Sequence, residues 1–157
     1  MKFFDDIEVG ERHVLGHHTF TEAEMIAFAE KYDFQSFHVD PDAAKRSLFG
    51  ALVASGWLTS ATWMRCFIEF NVRSAEEQRA RGERVPMVGP SPGFTNMRWL
   101  KPVYAGDTIT YVTEPKEKTT SRSRPKWGVL RVYNSGTNQH GDLVLDFEST
   151  VFAERRG

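Results

Sequence analysis

The chain has 157 residues, 40% of them hydrophobic and 26% charged, and a formal net charge of −1. This is the length of one domain over residues 1–157, with enough apolar content to form a core unaided, and the charge gives no electrostatic reason to expect a nucleic-acid partner. The lone cysteine, Cys66, sits in an apolar run and reads as core packing; with no apolar stretch of leader or membrane-spanning length, the expectation is a cytoplasmic domain without a membrane partner.

In chain order, Phe3 to Val9 reads as an extended lead-in closed by Gly10, and His13 to Phe20 as a strand. Thr21 and Glu24 have capping-box spacing, and Met25, Phe28, Ala29 and Tyr32 then share one helical face. That helix is predicted to end near Asp33 and to leave the segment through Val39 in a loop. Asp40 and Pro41 fit the N-cap and first position of a short helix reaching Ser47. A long helix is predicted from Ser55-Gly56 to about Phe70. Its apolar residues cover more than one face, so it should be buried.

Val72 to Pro92 is a long polar excursion with a second capping-box pattern at Ser74–Glu77 and apolar Met87 and Val88. It exceeds a simple helix-to-strand connection, so it is expected to wall a pocket. From Phe94 onward the chain reads as strands: Phe94–Leu100, Thr108–Pro115, Trp127–Asn134 and Leu143–Ala153. One buried helix followed by a run of strands predicts an α+β fold with an antiparallel sheet.

The segment from Tyr32 to Asp40 carries the chemistry. Asp33 and His38 stand five residues apart, and both residue types can hold water and move protons near neutral pH. The plain alternatives are an Asx-turn residue and a backbone-bonded histidine. Gly56 sits at the start of the long helix, where backbone N–H groups lack intrahelical partners and the macrodipole is positive, suiting a carbonyl that gains charge. Ser55 reads as the N-cap, and Asp107 as turn chemistry. Arg122, Arg124 and Lys126 are either a solvated hairpin tip or a grip on phosphates. His13, His17 and His18 have no partners at ligand spacing, so no metal site is expected.

Tyr32-Asp33-Phe34-Gln35-Ser36-Phe37-His38-Val39-Asp40, then Ala54-Ser55-Gly56, then Pro102-Val103-Tyr104-Ala105-Gly106-Asp107-Thr108-Ile109, resemble in order the blocks of the MaoC-like dehydratases, or R-specific enoyl-CoA hydratases. The chain departs from the family pattern at Gln35 for Asn, Ser36 for Pro and Ser55 for His. The resemblance implies a hot-dog fold, with a sheet wrapped around the long helix. It implies hydration of 2-enoyl-CoA thioesters, or the reverse dehydration, with Asp33 and His38 sharing one water and adding its elements to one face. Gly56 would polarise the thioester carbonyl. Gln35, Ser55, Arg122, Arg124 and Lys126 would contact the substrate. No cofactor is implied, because the CoA arm belongs to the substrate, and a homodimer or dimer-based oligomer is expected. A thioesterase on the same fold and a non-catalytic acyl-thioester binding module are the rival readings.

Overall fold

The computed structural model describes residues 1–157. A single 3-10 turn, Phe4–Asp6, precedes β1 (His13–Thr19). Helices α1 (Glu22–Tyr32), α2 (Ser36–Val39), α3 (Pro41–Lys45) and α4 (Gly56–Ala80) follow, then β2 (Gly93–Trp99), β3 (Thr108–Thr120), β4 (Trp127–Thr137) and β5 (Leu143–Glu154). The five strands form one sheet in the order β1-β3-β4-β5-β2, with every neighbouring pair antiparallel. The expected α+β hot-dog architecture is what the chain adopts.

The predicted helix starts hold at the level of individual bonds. Thr21 Oγ1 accepts the Glu24 N–H while Glu24 Oε1 accepts the Thr21 N–H, so each orphan donor is satisfied by the other residue. Asp40 Oδ1 takes the N–H groups of Asp42 and Ala43, with Pro41 at the first helical position. Asp107 is structural, as its turn position implies: its carboxylate accepts the Tyr104 N–H at 2.8 Å and the Gln139 amide at 2.7 Å.

Two expectations about α4 need correction. Helix α4 does not stop near Phe70 but continues to Ala80. No Gly or Pro interrupts residues 57–80, and the first break is Gly82 in the left-handed region at φ 72°. Nor is α4 buried on most sides. Thr59, Thr62, Trp63, Cys66 and Ala75 face the core, whereas Trp57, Met64, Ile68 and Val72 are about half exposed. One chain's sheet covers one flank of the helix, and spacings of seven and four residues place the open apolar residues on the other. Strands β3 and β4 also outrun their predicted ends, pairing from Thr110↔Thr137 to Thr120↔Gly128.

The core joins Leu15, Phe20, Met25, Trp63, Ile109, Tyr111, Leu145 and Phe147 between α4 and the sheet. Tyr111 is fully buried and its hydroxyl donates to the Thr59 carbonyl at 3.0 Å; burial pushes its phenol well above the usual range. The sheet has two distinct ends. Residues Thr108, Thr137, Leu143 and Trp99 lie at one, together with the start of α4, over which Trp99 packs. The β3–β4 hairpin tip, Glu154 and the N-terminus lie at the other. The excursion after α4 belongs to this second end: Arg84 pairs with Glu154, Val88 bridges Ala153, and the Pro90 carbonyl accepts the Phe152 N–H. It lies about 36 Å of helix away from Gly56 and does not wall this chain's own candidate site.

Candidate active site

Asp33 is the C-cap of α1, and its N–H still bonds the Ala29 carbonyl at 2.8 Å. The chain then turns sharply: Gln35 N–H donates to the Asp33 carbonyl and His38 N–H to the Gln35 carbonyl, each at 2.8 Å. The result is the single turn of α2, where the sequence alone predicts a loop, and it carries His38 back towards Asp33. Their side chains approach to 3.4 Å, His38 Nε2 to Asp33 Oδ2. His38 is buried, 7% exposed.

The other ring nitrogen decides what Nε2 can do. His38 Nδ1 lies 2.7 Å from the Val53 carbonyl, which only accepts, so Nδ1 carries the proton. In a neutral ring Nε2 therefore presents a lone pair, and it faces a carboxylate oxygen that also only accepts. Two acceptors 3.4 Å apart do not bond each other; they converge on a third group that has hydrogens to give, such as water. Val53 carries no signal in the sequence, because the group that matters is its backbone carbonyl, which any residue would supply.

Both Asp33 oxygens are held. Ser55 Oγ donates to Oδ2 at 2.7 Å and Gln35 Nε2 donates to Oδ1 at 2.8 Å. Burial pushes the Asp33 carboxyl up, but these two bonds and the His38 ring outweigh it, so the carboxyl sits below its ordinary range and is ionised at neutral pH. Ser55, fully buried, is also the N-cap of α4, accepting the Trp57 N–H at 3.2 Å. One hydroxyl thus joins the helix start to the carboxylate.

Gly56 opens α4, and its N–H donates to no atom of the chain. Its carbonyl accepts from Thr59 Oγ1 at 2.7 Å and Ser60 Oγ at 3.0 Å. The Trp99 indole lies over Gly56 so closely that an added Cβ would come 2.6 Å from the ring. Trp99 Nε1 donates to Ser60 Oγ at 3.2 Å, and the Trp57 ring meets Trp99 edge-on at 5.1 Å. Trp99 does not stand out in the sequence, since nothing local links it to a glycine 43 positions earlier.

A family profile for the MaoC like domain matches residues 8–135. The chain belongs to the MaoC-like dehydratase family. This MaoC-like chain is 31% identical to the MaoC-like dehydratase of Rhodospirillum rubrum, whose crystal structure superposes with a TM-score of 0.83 over 100% of this chain and 99% of that one. It is 30% identical over 124 residues to the protein MaoC of Klebsiella aerogenes, a match covering 78% of this chain but only 33% of that protein, so the chain spans about a third of its length. A mesaconyl-CoA hydratase of Cereibacter sphaeroides is 37% identical over 67 residues, 41% of this chain and 18% of that protein.

Asp33, Gln35, His38, Ser55 and Gly56 of this MaoC-like domain therefore form one cluster. Arg122, Arg124 and Lys126 do not join it. They are exposed on the hairpin tip beyond Thr120, with Arg124 over the Phe152 ring and the Lys126 carbonyl taking the Arg155 N–H. About 40 Å of strand separates them from the Thr108 end of β3, so within one chain they cannot touch a substrate held at Asp33 and His38. Two further cations, Arg98 and Lys101, are paired with Asp146 and Asp142. His18, in the histidine group, is held between Glu24 at 2.7 Å and Arg65 at 2.8 Å.

Proposed function

We propose that this MaoC-like domain hydrates 2-enoyl-CoA thioesters to (R)-3-hydroxyacyl-CoA and catalyses the reverse dehydration. The observation that carries this reading is the convergence of two acceptors, His38 Nε2 and Asp33 Oδ2, with Asp33 tied through Ser55 to the helix start where the Gly56 N–H is free. Water placed between them gives one hydrogen to each. His38 Nε2 takes a proton as the oxygen adds to C3 of the enoyl group. Negative charge grows on the thioester oxygen, which Gly56 N–H and the positive end of α4 stabilise. The proton held by the pair then goes to C2 from the side on which water added, and Asp33 and His38 return to their starting states. In the other direction C2 gives its proton to the pair and the C3 hydroxyl leaves as water.

The ionised state of Asp33 suits this role, because the carboxylate orients water as an acceptor and stabilises the imidazolium formed in mid-reaction. Loss of the conjugated-thioester absorbance of crotonyl-CoA tests the reading. Release of free CoA, detected with a thiol reagent, would instead indicate a thioesterase. Binding without either change would indicate a non-catalytic module.

The active species in this proposal is a homodimer. β2 hydrogen-bonds only β5 and offers its other edge, with Phe94 and Trp99 about half exposed. Pairing two such edges about a two-fold axis would close the β2 edge, leaving β1 outermost, and cover apolar surface. Two-fold pairing is antiparallel, so the hairpin tip of one chain would come to the end of the sheet where the other chain's site lies, roughly 15–20 Å to the side. Arg122, Arg124 and Lys126 then serve CoA phosphates across the interface rather than within a chain.

A further inference from the structure

We propose that Gln35 is the positioning residue of the Asp33–His38 pair, not a substrate ligand. This rests on the hydratase reading and gives a role to a polar side chain of the cluster that the mechanism does not use. Gln35 bonds both members of the pair at once. Its backbone N–H donates to the Asp33 carbonyl at 2.8 Å and its Nε2 donates to Asp33 Oδ1 at 2.8 Å, closing a ring around the residue. Its own carbonyl accepts the His38 N–H at 2.8 Å and so starts the turn that carries the imidazole. A single residue therefore splints the acid to the base.

The side-chain bond selects which carboxylate oxygen works. With Oδ1 taken by Gln35, Oδ2 is the oxygen left facing His38 Nε2 at 3.4 Å, while Ser55 holds it from the other side at 2.7 Å. Without the Gln35 donor the carboxylate can rotate about its Cβ–Cγ bond and lose the convergence on water. Small errors of this kind matter, since misplacing a reacting group by about 1 Å can cost about a hundredfold in rate. The length of the Gln35 side chain suits this positioning, because the amide extends back to residue 33 across the turn while the backbone bond holds the turn closed. Of the groups that set the Asp33 protonation state, His38 is the titratable one, and Gln35 and Ser55 are neutral donors. Removing or reversing the Gln35 donor therefore has a definite sign.

The test compares wild type with Gln35→Met, a near-isostere without a donor, and Gln35→Glu, which sets a second carboxylate against Oδ1. Asp33 is followed by 13C NMR of carboxyl-labelled aspartate, assigned with Asp33→Asn, and turnover is followed on crotonyl-CoA. The expected order of Asp33 titration midpoints is wild type lowest, Gln35→Met higher by roughly half a unit to one unit, and Gln35→Glu highest. Turnover of Gln35→Met should show kcat reduced about tenfold with KM changed less than about twofold, the pattern of a group that acts on the reacting atoms through another residue. A raised KM with unchanged kcat would make Gln35 a substrate ligand and overturn the proposal. An unmoved Asp33 titration would overturn it too, whatever happened to melting temperature. The NMR titration needs no substrate, so an inactive wild type would sink the hydratase reading while the Gln35 contact was still being measured.

Discussion

The two ends of the sheet are built on different principles. Around the α4 start the acting groups are buried or half-buried and fixed by bonds to neutral partners, of which Gln35 alone is exposed: Val53 carbonyl on His38, Ser55 and Gln35 on Asp33, Thr59 and Ser60 on the Gly56 carbonyl. At the hairpin end they are many and charged, with Arg155 and Arg156 on Asp5 and Asp6, Arg84 on Glu154, and the Arg84 and Arg156 guanidiniums each 4.9 Å from the Phe3 ring centre. Exposed ion pairs are worth about 0–1 kcal/mol each and weaken with salt. The hairpin end can therefore tolerate loss of an exposed pair such as Arg156 on Asp6, the buried Glu154 being its exception, while each bond at the α4 end sets the direction of a group that acts.

The largest break in that contrast should come from the acting groups themselves. Asp33→Asn and His38→Ala should each lower kcat for crotonyl-CoA by about 10²–10⁴ with the melting temperature nearly unchanged. Either variant retaining most of its turnover would remove the shared-water mechanism.

Gly56→Ala comes next and separates two explanations. Its Cβ would meet the Trp99 ring at 2.6 Å, so the single variant should lose about 10²–10³ in rate as the helix start or the indole shifts. If the clash is the cause, Trp99→Ala should accept the added methyl, and Gly56→Ala should then cost little further. A full additional loss in the Trp99→Ala background would show that the glycine itself is required.

A third experiment asks whether the hairpin end serves chemistry at all. Neutralising Arg122, Arg124 and Lys126 together should raise KM severalfold, and less so at high salt. Mixing that chain with Asp33→Asn chains should regenerate activity at low substrate, towards about a quarter of the wild-type sites, because half the dimers would carry one intact composite site. No regeneration on mixing would confine the cluster to a solvated tip.

The smallest effect is on acid stability. Asp146 is 2% exposed and bonds Arg98 through both oxygens at 2.9 and 2.5 Å. The Arg98 bond lowers its carboxyl, burial opposes this, and Tyr133 lowers it further. A carboxyl depressed on folding contributes stability that is present above the ordinary carboxylate value near 4 and is lost as pH falls through the depressed value. Asp146→Asn should therefore cost about 1–3 kcal/mol at pH 7 and progressively less in acid. A loss that does not change with pH would assign the effect to packing.

Legibility in the sequence follows the range of the interactions. The helix caps, the Asp33–His38 pair and the start of α4 depend on residues within a few positions of one another, and their spacing exposes them. The extent of β3 and β4 depends on a partner strand, so local pattern predicts each too short. The open flank of α4 is misjudged because an apolar surface has the same pattern whether its own chain or another covers it. Trp99 over Gly56, and the hairpin cations placed away from the site, are facts of topology that local periodicity does not carry.

Ser55 has a consequence for anyone who would make this protein more robust. Its hydroxyl is at once the N-cap of a 25-residue helix and a donor to Asp33. Aspartate and asparagine are as good as serine in that cap position. Ser55→Asp would preserve the capping acceptor yet set a second carboxylate against Asp33, forcing one of the two to keep a proton near neutrality. Ser55→Asn would cap as well but would have to offer oxygen to the helix and nitrogen to the acid from one short, planar group. A scheme that scores the helix cap alone would favour either change and silence the site, so libraries built on this scaffold should hold position 55 constant or screen turnover and melting together.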